Sequence, residues 1–168
     1  MKVKKDVLLS ELITFKTSGT FKKLVIVESI DELQTVIKEE ESFFILGRGS
    51  NTLINDNSSI QTVIKLSPSI SPIDINHTSI RLNAGLSVHQ IMTLIQERGL
   101  SGLEFSAGVP ASLGGMVFMN FGCWGYSISE FITRVRIMDY SGNVFWLGAS
   151  ELEFGYRTSI FHKQEWII

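Results

Sequence analysis

The chain has 168 residues, of which 44% are hydrophobic and 19% are charged, and its formal net charge is −2. This size and composition predict one domain, or two small lobes that share a core. The charge excludes the basic surface typical of nucleic-acid or anionic-membrane binding, and no apolar run approaches the ~18 residues of a membrane span. With one cysteine and three scattered histidines, the sequence offers no disulfide framework and no metal-ligand spacing, so we expect no metal and a reducing compartment.

The first third of the chain has a β-α-β pattern. Residues 24–27 (LVIV) and 43–46 (FFIL) predict short buried strands, which implies a parallel pair with a crossover helix. Ser29 and Glu32 have the spacing of a capping box at the start of that helix. A further strand is predicted over residues 62–66, before the two prolines of the segment SPSISPIDINHTS. Those prolines predict a boundary between a first lobe (residues 1–67) and a second lobe (residues 68–168).

A glycine-containing turn follows the second strand, with the sequence Gly47-Arg48-Gly49-Ser50-Asn51. Backbone N–H groups of such a turn can point together and bind an anion, with Arg48 adding positive charge. Neither the Rossmann nor the Walker spacing is present. A plain turn between strands explains the same residues equally well, although ligands of open α/β sheets gather where strands end.

The second lobe is predicted from alternating and helical patterns. We expect a strand over residues 79–83, a helix that begins after a Ser87–Gln90 capping box and ends near Gly99, and a hairpin of residues 131–139 and 144–147. Residues 149–154 predict a short helical turn. Residues 165–168 have the pattern of a strand that stops without a closing element.

Half of the 14 glycines lie between Gly99 and Gly125. Each glycine inside a helix or strand costs about 0.5–1 kcal/mol relative to alanine, so this stretch favours irregular backbone. One interpretation is a wall of main chain around a flat or phosphorylated cofactor; the other is a tight structural turn region. Further on, Arg157 stands between an aromatic residue and two hydroxyls, and is interpreted as a cation for an anionic substrate or as an exposed arginine at a strand end.

Four segments together resemble the UDP-N-acetylenolpyruvoylglucosamine reductase family, the flavoenzymes of bacterial peptidoglycan precursor synthesis. They are Leu46–Asn51 (LGRGSN), Gly99–Gly115 (GLSGLEFSAGVPASLGG), Asn120–Gly125 (NFGCWG) and Phe154–Phe161 (FGYRTSIF). The segments follow the family's order over about 115 residues, which makes a chance match of this kind improbable.

The resemblance implies an α+β, two-lobed FAD-binding domain of the vanillyl-alcohol-oxidase (PCMH) type, with FAD between the lobes. It also implies NADPH as hydride donor, and a reduced flavin that passes hydride to the enolpyruvyl double bond of a UDP-sugar. Arg157 would neutralise the resulting enolate with support from Tyr156. The implied FAD-binding residues are Gly47, Arg48, Gly49, Ser50, Asn51, Thr52, Ala107, Gly108, Pro110, Ala111, Ser112, Gly114, Gly115, Asn120, Gly122 and Gly125.

Several features depart from the family pattern. Ala111 replaces a usual glycine, and Phe121, Cys123 and Trp124 differ from the family's residues near the flavin. Cys123 is interpreted as a small apolar filler or as a redox-sensitive thiol. The family continues into a substrate-binding domain that supplies a serine proton donor and a glutamate, and neither motif occurs here. We therefore expect the FAD-binding portion of a cytoplasmic bacterial reductase, incomplete as given, with a tendency to self-associate through its truncated edge.

Two alternatives to an incomplete reductase remain. One is a stand-alone flavin-binding or interaction module without catalytic activity, against which the unclosed last strand argues. The other is an FAD-dependent oxidase of the same fold, against which the FGYRTSIF segment argues, because an oxidase has no enolate to hold.

Overall fold

A four-stranded sheet is built from the first part of the chain. The computed structural model describes residues 1–55, 60–71, 73–76 and 79–168. The strands are β1 (Lys2–Leu8), β2 (Thr20–Val27), β3 (Phe43–Ile45) and β4 (Thr62–Leu66), in the order β1-β2-β4-β3. β1 is antiparallel to β2, whereas β2 and β3 both run parallel to β4. β2 and β3 run in the same direction, as predicted, but the prediction that they pair with each other is wrong, because β4 lies between them.

Four α-helices lie within the described part of the chain. They are α1 (Leu9–Leu12), α2 (Ile30–Glu39), α3 (Val88–Glu97) and α4 (Leu113–Phe118). The Ser87–Gln90 capping box of α3 is complete, as predicted. At α2 the Ser29 hydroxyl accepts from the Glu32 N–H at 3.1 Å, but the Glu32 carboxylate accepts from the Glu28 N–H at 2.7 Å instead of closing the box on Ser29. None of the helices in the described part of the chain has the length and apolar character needed to cross a bilayer.

Within the described residues, the second part of the chain forms three smaller antiparallel sheets. Two are hairpins, formed by β5 (Asp74–Asn76) with β6 (Ser79–Arg81) and by β7 (Gly122–Cys123) with β8 (Tyr126–Ser127). The third has the order β10-β9-β11 and consists of β9 (Arg134–Asp139), β10 (Val144–Gly148) and β11 (Trp166–Ile167). The predicted strand over 131–139 begins only at Arg134, because Phe131 closes a 3₁₀ turn. The predicted strand over 79–83 ends at Arg81.

The glycine-rich stretch is more regular than its composition predicts. It contains α4 and the β7–β8 hairpin, although Gly114 and Gly115 both lie inside α4. At Gly114 an added Cβ would lie 3.0 Å from the Ala84 Cβ and 3.3 Å from the Ala84 carbonyl oxygen. The Gly114 N–H also donates to that carbonyl at 2.9 Å. Close packing of α4 on Ala84 therefore accounts for a helix that local propensity disfavours.

One hydrophobic cluster joins the two parts of the chain. Fully buried Val25, Val27 and Ile64 of the first sheet pack with Met138 of β9 and Ile167 of β11. Burying a side chain of this size contributes about 1.5–3 kcal/mol relative to leaving it in water. A second cluster fills the opposite face of the first sheet, and a third lies beneath β9, β10 and α4. The shared cluster fixes the orientation of the two sheets and therefore of the loops at their edges.

Candidate functional site

The turn after β3 contains main-chain donors that have no acceptor among the described residues. The Leu46 N–H donates to the Ile64 carbonyl at 2.9 Å, and the Gly49 carbonyl accepts from Thr14 at 2.9 Å. The N–H groups of residues 48–51 donate to no acceptor within the described part of the chain. Arg48 and Asn51 are exposed, whereas Gly49 is buried beneath them. Unpaired N–H groups beside an arginine are the donor set that a phosphate or another anion requires.

A second predicted segment contacts this turn. Ser112 is buried, and its hydroxyl accepts from the Gly115 N–H at 3.3 Å, which caps α4. A Cβ added to Gly47 would overlap the Ser112 Oγ and would lie 3.6 Å from the Ser112 Cβ. The main chain at Gly47 therefore reaches the start of α4 because it carries no side chain. The structure thus brings the LGRGSN turn and the Ala107–Gly115 run together, with Gly108 and Pro110 exposed beside them.

Three hydrogen bonds attach the Phe154–Phe161 segment to the end of α4 and the β7 strand. The Asn120 Nδ2 donates to the Gly155 carbonyl at 2.8 Å, and the buried Ser159 hydroxyl donates to the Phe118 carbonyl at 2.6 Å. The Arg157 Nη2 donates to the Gly122 carbonyl at 2.6 Å. These bonds join the NFGCWG and FGYRTSIF segments, just as the contact of Gly47 with Ser112 joins the LGRGSN turn to the Ala107–Gly115 run.

Arg157 lies in a tight turn rather than at a strand end. Gly155 and Thr158 close the turn as an isolated bridge, and Arg157 has a positive φ of 55°. Its guanidinium lies 5.4 Å from the centre of the Phe121 ring and 5.7 Å from that of Tyr156. The side chain is exposed and pairs with no carboxylate among the described residues. Arginine held by a carbonyl and an aromatic ring keeps its remaining donors available to an anion.

Aromatic side chains around Arg157 are unusually exposed. Tyr156 is 92% exposed and Trp124 is 87% exposed, while Tyr126 is 55% exposed. Trp124 has a positive φ of 55°, which turns the β7–β8 connection outward. The neighbouring Cys123 is half-buried, and its thiol donates to the Phe105 carbonyl at 2.7 Å. Exposed rings of this size commonly mark a surface that a ligand or another domain covers.

The two pairs of segments lie at opposite ends of α4. Ser112 caps its start, and the Phe118 carbonyl at its end accepts from Ser159. Six residues of helix separate these positions by about 9 Å, since the rise is about 1.5 Å per residue. No contact between described residues joins Arg157 directly to the LGRGSN turn. The candidate site is therefore elongated, with an anion-binding end and an end lined by aromatic rings and Arg157.

The sequence reasoning missed Lys65. It lies on β4, one residue beyond Ile64, and it is half-buried without a carboxylate partner among the described residues. Burial lowers the pKa of its ammonium group, and the positive charge of Arg48 lowers this pKa further. A cation interrupting the apolar strand TVIKL was the available signal.

Stability is expected to rise with pH because of Lys65. The unfolded chain holds the Lys65 proton up to about its ordinary pKa of 10.5, whereas the folded chain releases it at lower pH. Between these two pKa values the unfolded state binds more protons, so the free energy of unfolding increases as pH rises. Urea unfolding from pH 7 to pH 10 should show this increase in the wild type and in Lys22→Met, an exposed control on β2. An equal increase in Lys65→Met would contradict the assignment.

Asn120 is expected to stabilise the contact between the segments. It is buried with a positive φ of 41°, and its Oδ1 accepts from the Ser129 N–H at 3.3 Å. Asn120→Ala removes this bond and the bond to Gly155, so the free energy of unfolding should fall by about 2–4 kcal/mol. Asn51→Ala, at an exposed asparagine, should change it by less than about 0.5 kcal/mol. Equal urea midpoints for the two variants would refute the role of Asn120.

Comparison with known proteins decides the family. Residues 21–148, well over half of the chain, match the FAD binding domain family. The chain belongs to the FAD-binding domain family. Its matched range includes both the LGRGSN turn and the whole glycine-rich stretch.

Among the relatives of this FAD-binding domain are UDP-N-acetylenolpyruvoylglucosamine reductases, which confirms the resemblance drawn from the motifs. The reductase of Bacillus pumilus is 36% identical over 155 residues, covering 90% of this chain and 51% of the relative. That of Clostridioides difficile is 35% identical over 169 residues, covering 98% and 56%. The chain spans about half the length of these curated relatives.

Solved structures confirm the predicted α+β fold of FAD-binding type. The crystal structure of UDP-N-acetylenolpyruvylglucosamine reductase from Thermus caldophilus has a TM-score of 0.79 and 30% identity, covering 95% of this chain and 57% of that chain. The structure of p-cresol methylhydroxylase has a TM-score of 0.59 at 14% identity and shows the fold alone.

The geometry of the FAD-binding domain fits the family's cofactor at the LGRGSN turn. The N–H groups of residues 48–51 have no acceptor among the described residues, and Gly47 lies so close to Ser112 that a side chain at position 47 would overlap the Ser112 hydroxyl. A diphosphate needs such donors, and a nearby cation strengthens its binding.

Proposed function

We propose that this chain binds FAD and forms the FAD-binding portion of a UDP-N-acetylenolpyruvoylglucosamine reductase. The observation that carries the proposal is the contact of Gly47 with Ser112, which joins a turn of unpaired N–H groups to the capped start of α4. The N–H groups of residues 47–52 and the Ala107–Gly115 run would hold the diphosphate. Asn120, Gly122 and Gly125 would lie beside the flavin ring.

The remaining residues are assigned roles from the reaction of the whole reductase. When bound, FAD supplies a flavin ring that accepts hydride from NADPH and gives it to the enolpyruvyl group of the UDP-sugar. Arg157 would bind the substrate carboxylate and neutralise the charge that develops beside it, because its guanidinium is held by Gly122 with donors to spare. The exposed Tyr156 supports the position of this guanidinium. The product, UDP-N-acetylmuramate, serves peptidoglycan synthesis in the bacterial cytoplasm.

Two lobes, residues 1–67 and 68–168, are proposed to hold FAD between them. The contact of Gly47 with Ser112 crosses the proposed boundary, as does the cluster that joins Val25 and Ile64 to Met138. A ligand at such a boundary would be held by main-chain groups from both sides.

Visible absorption of the purified chain tests FAD binding. We expect a flavin band that persists after gel filtration of a mixture with FAD, and bleaching when NADPH is added without oxygen. A persistent band without bleaching would support FAD binding and contradict a complete nicotinamide site in these residues. Absence of the band at excess FAD would refute the proposal and favour an interaction module without redox activity.

Self-association is proposed at the edge of the β9 sheet. β11 pairs only with Met138 and Asp139, so residues 134–137 of β9 have no strand partner on that side within the described part of the chain. Unpaired strand edges readily pair with another chain. Sedimentation velocity at increasing protein concentration should show reversible dimers, and a monomer at every concentration would contradict this proposal.

A further inference from the structure

Lys65 lies at the sheet edge that carries the LGRGSN turn. In the parallel pair of β3 and β4, Ile45 is in register with Ile64, and the next residue of β3, Leu46, donates to the Ile64 carbonyl at 2.9 Å. The pairing therefore places Lys65 beside Leu46, immediately before Gly47. The strands run in the same direction, so Lys65 and the turn lie at the same carboxyl edge.

The face of β4 on which Lys65 lies is also the face of the turn. Ile64 belongs to the cluster beneath α2, whereas Val63 and Leu46 belong to the cluster on the opposite face of the sheet. Side chains alternate along a strand, so Lys65 shares the face of Val63. Arg48 is the charged residue that lowers the pKa of Lys65, which agrees with a position close to the turn.

Two cations at this edge have no counter-ion among the residues that the structure describes. Neither Lys65 nor Arg48 forms an ion pair or a side-chain hydrogen bond with any residue in the described ranges. Lys23 of β2, by contrast, is paired and donates to Glu40 at 2.5 Å. A half-buried ammonium that a second positive charge destabilises raises the free energy of the folded chain, unless a bound anion compensates the charge.

We propose that Lys65 is a cofactor-binding residue that, together with Arg48 and the N–H groups of the LGRGSN turn, contacts the diphosphate of FAD. This inference rests on the proposed function and adds a residue that none of the four motifs contains. The ammonium group supplies a point charge from the strand, whereas the main chain supplies directed hydrogen bonds. The diphosphate in turn compensates the two positive charges.

The test compares FAD binding by four forms of the 168-residue chain: the wild type, Lys65→Met, Lys65→Arg and Lys22→Met. Flavin fluorescence should show the Kd for FAD raised about tenfold or more in Lys65→Met, because hydrogen bonds to charged groups are among the stronger ones. Lys65→Arg keeps the charge and should retain most of the affinity. Lys22→Met removes an exposed charge from the neighbouring strand and should bind as the wild type does.

Thermal unfolding without FAD separates binding from folding. Lys65→Met removes a half-buried charge that has no partner among the described residues, so its melting temperature should equal or exceed that of the wild type. A lower melting temperature together with weaker binding would assign Lys65 a structural role and overturn the inference. In the same series, Lys65→Met should weaken the binding of ADP about as much as that of FAD, whereas the Kd for adenosine, which has no diphosphate, should equal that of the wild type.

Failure of this inference is distinguishable from failure of the proposed function. If the wild type binds no FAD, the proposed function fails, and this inference fails with it. If the wild type binds FAD and Lys65→Met binds it with the same affinity as Lys22→Met, the proposed function stands and the role of Lys65 is refuted. Equal weakening of FAD and riboflavin binding would also refute it, because riboflavin has no diphosphate.

Discussion

Replacing Gly49 with alanine is expected to lower the free energy of unfolding by about 2–5 kcal/mol. Gly49 has a φ of +71°, and an added Cβ would overlap the Leu12 carbonyl oxygen and lie 2.9 Å from the Ile13 Cα. The left-handed conformation costs about 1–2 kcal/mol for alanine, and overpacking adds about 1–3 kcal/mol. Because the obstructing atoms belong to the main chain of α1 and the residue after it, they cannot turn aside as a side chain would.

Gly108→Ala is the matched control for this effect. Gly108 has a φ of +80°, but nothing lies within 4 Å of an added Cβ. Gly108→Ala should therefore lower the free energy of unfolding only by the cost of the left-handed conformation, about 1–2 kcal/mol. Urea unfolding of both variants measures the difference, which isolates the packing of the turn on α1. If both variants lost the same free energy of unfolding, the overlap of the new Cβ at position 49 with Leu12 and Ile13 would be relieved at little cost.

Replacing Gly47 with alanine is expected to raise the Kd for FAD about tenfold or more. Adding Ser112→Ala to this variant is expected to restore part of the lost affinity. The new methyl group would overlap the Ser112 Oγ, so the turn and the start of α4 must separate or the hydroxyl must leave the Gly115 N–H. Either change disturbs the donors proposed to hold the diphosphate. In Gly47→Ala with Ser112→Ala the overlap is gone, because the Ser112 Cβ would lie 3.6 Å away, at ordinary contact distance.

A double-mutant cycle makes this prediction quantitative. Ser112→Ala alone should cost about 1 kcal/mol of stability, since it removes a helix cap. The coupling energy between Gly47→Ala and Ser112→Ala should be about 0.5–3 kcal/mol in the direction of rescue, measured by urea unfolding and by FAD titration. Ser101→Ala, at an exposed serine, should show no coupling. Strict additivity at Ser112 would mean that the two segments do not contact each other in solution.

Elements with strong local signals were predicted well. The strand over residues 62–66 and the helix capped by Ser87 follow from apolar runs and from caps, which act over a few residues. β1 was missed because Lys2, Lys4 and Lys5 give it an exposed, charged pattern, which is typical of an edge strand rather than a buried one. α4 was missed because it contains two glycines, and the close packing of Gly114 against Ala84 is a contact that no local pattern contains.

The site residues that lie in sequence motifs could be predicted, whereas those brought to the site only by the fold could not. The four segments contain the residues that lie at both ends of α4. Their contacts depend on the close approach of Gly47 to Ser112 and on the hydrogen bond from Asn120 to Gly155. Lys65 stands out in the sequence only as a cation in the apolar strand TVIKL, and its role could not be predicted, because a single lysine in a strand has no motif. Its importance arises from the register of β3 and β4, which places it beside Leu46.

The cluster that joins β2 to β11 has a consequence for how the chain folds. Val25 and Val27 stand near the beginning of the sequence, whereas Ile167 is the residue before the last, so their contacts close almost the whole chain into one loop. Contacts of such high sequence separation form late, since their loop entropy must be overcome first, and they slow folding. We expect thermal unfolding monitored at the first sheet and at the β9 sheet to coincide in a single transition, because neither sheet completes its core without the other.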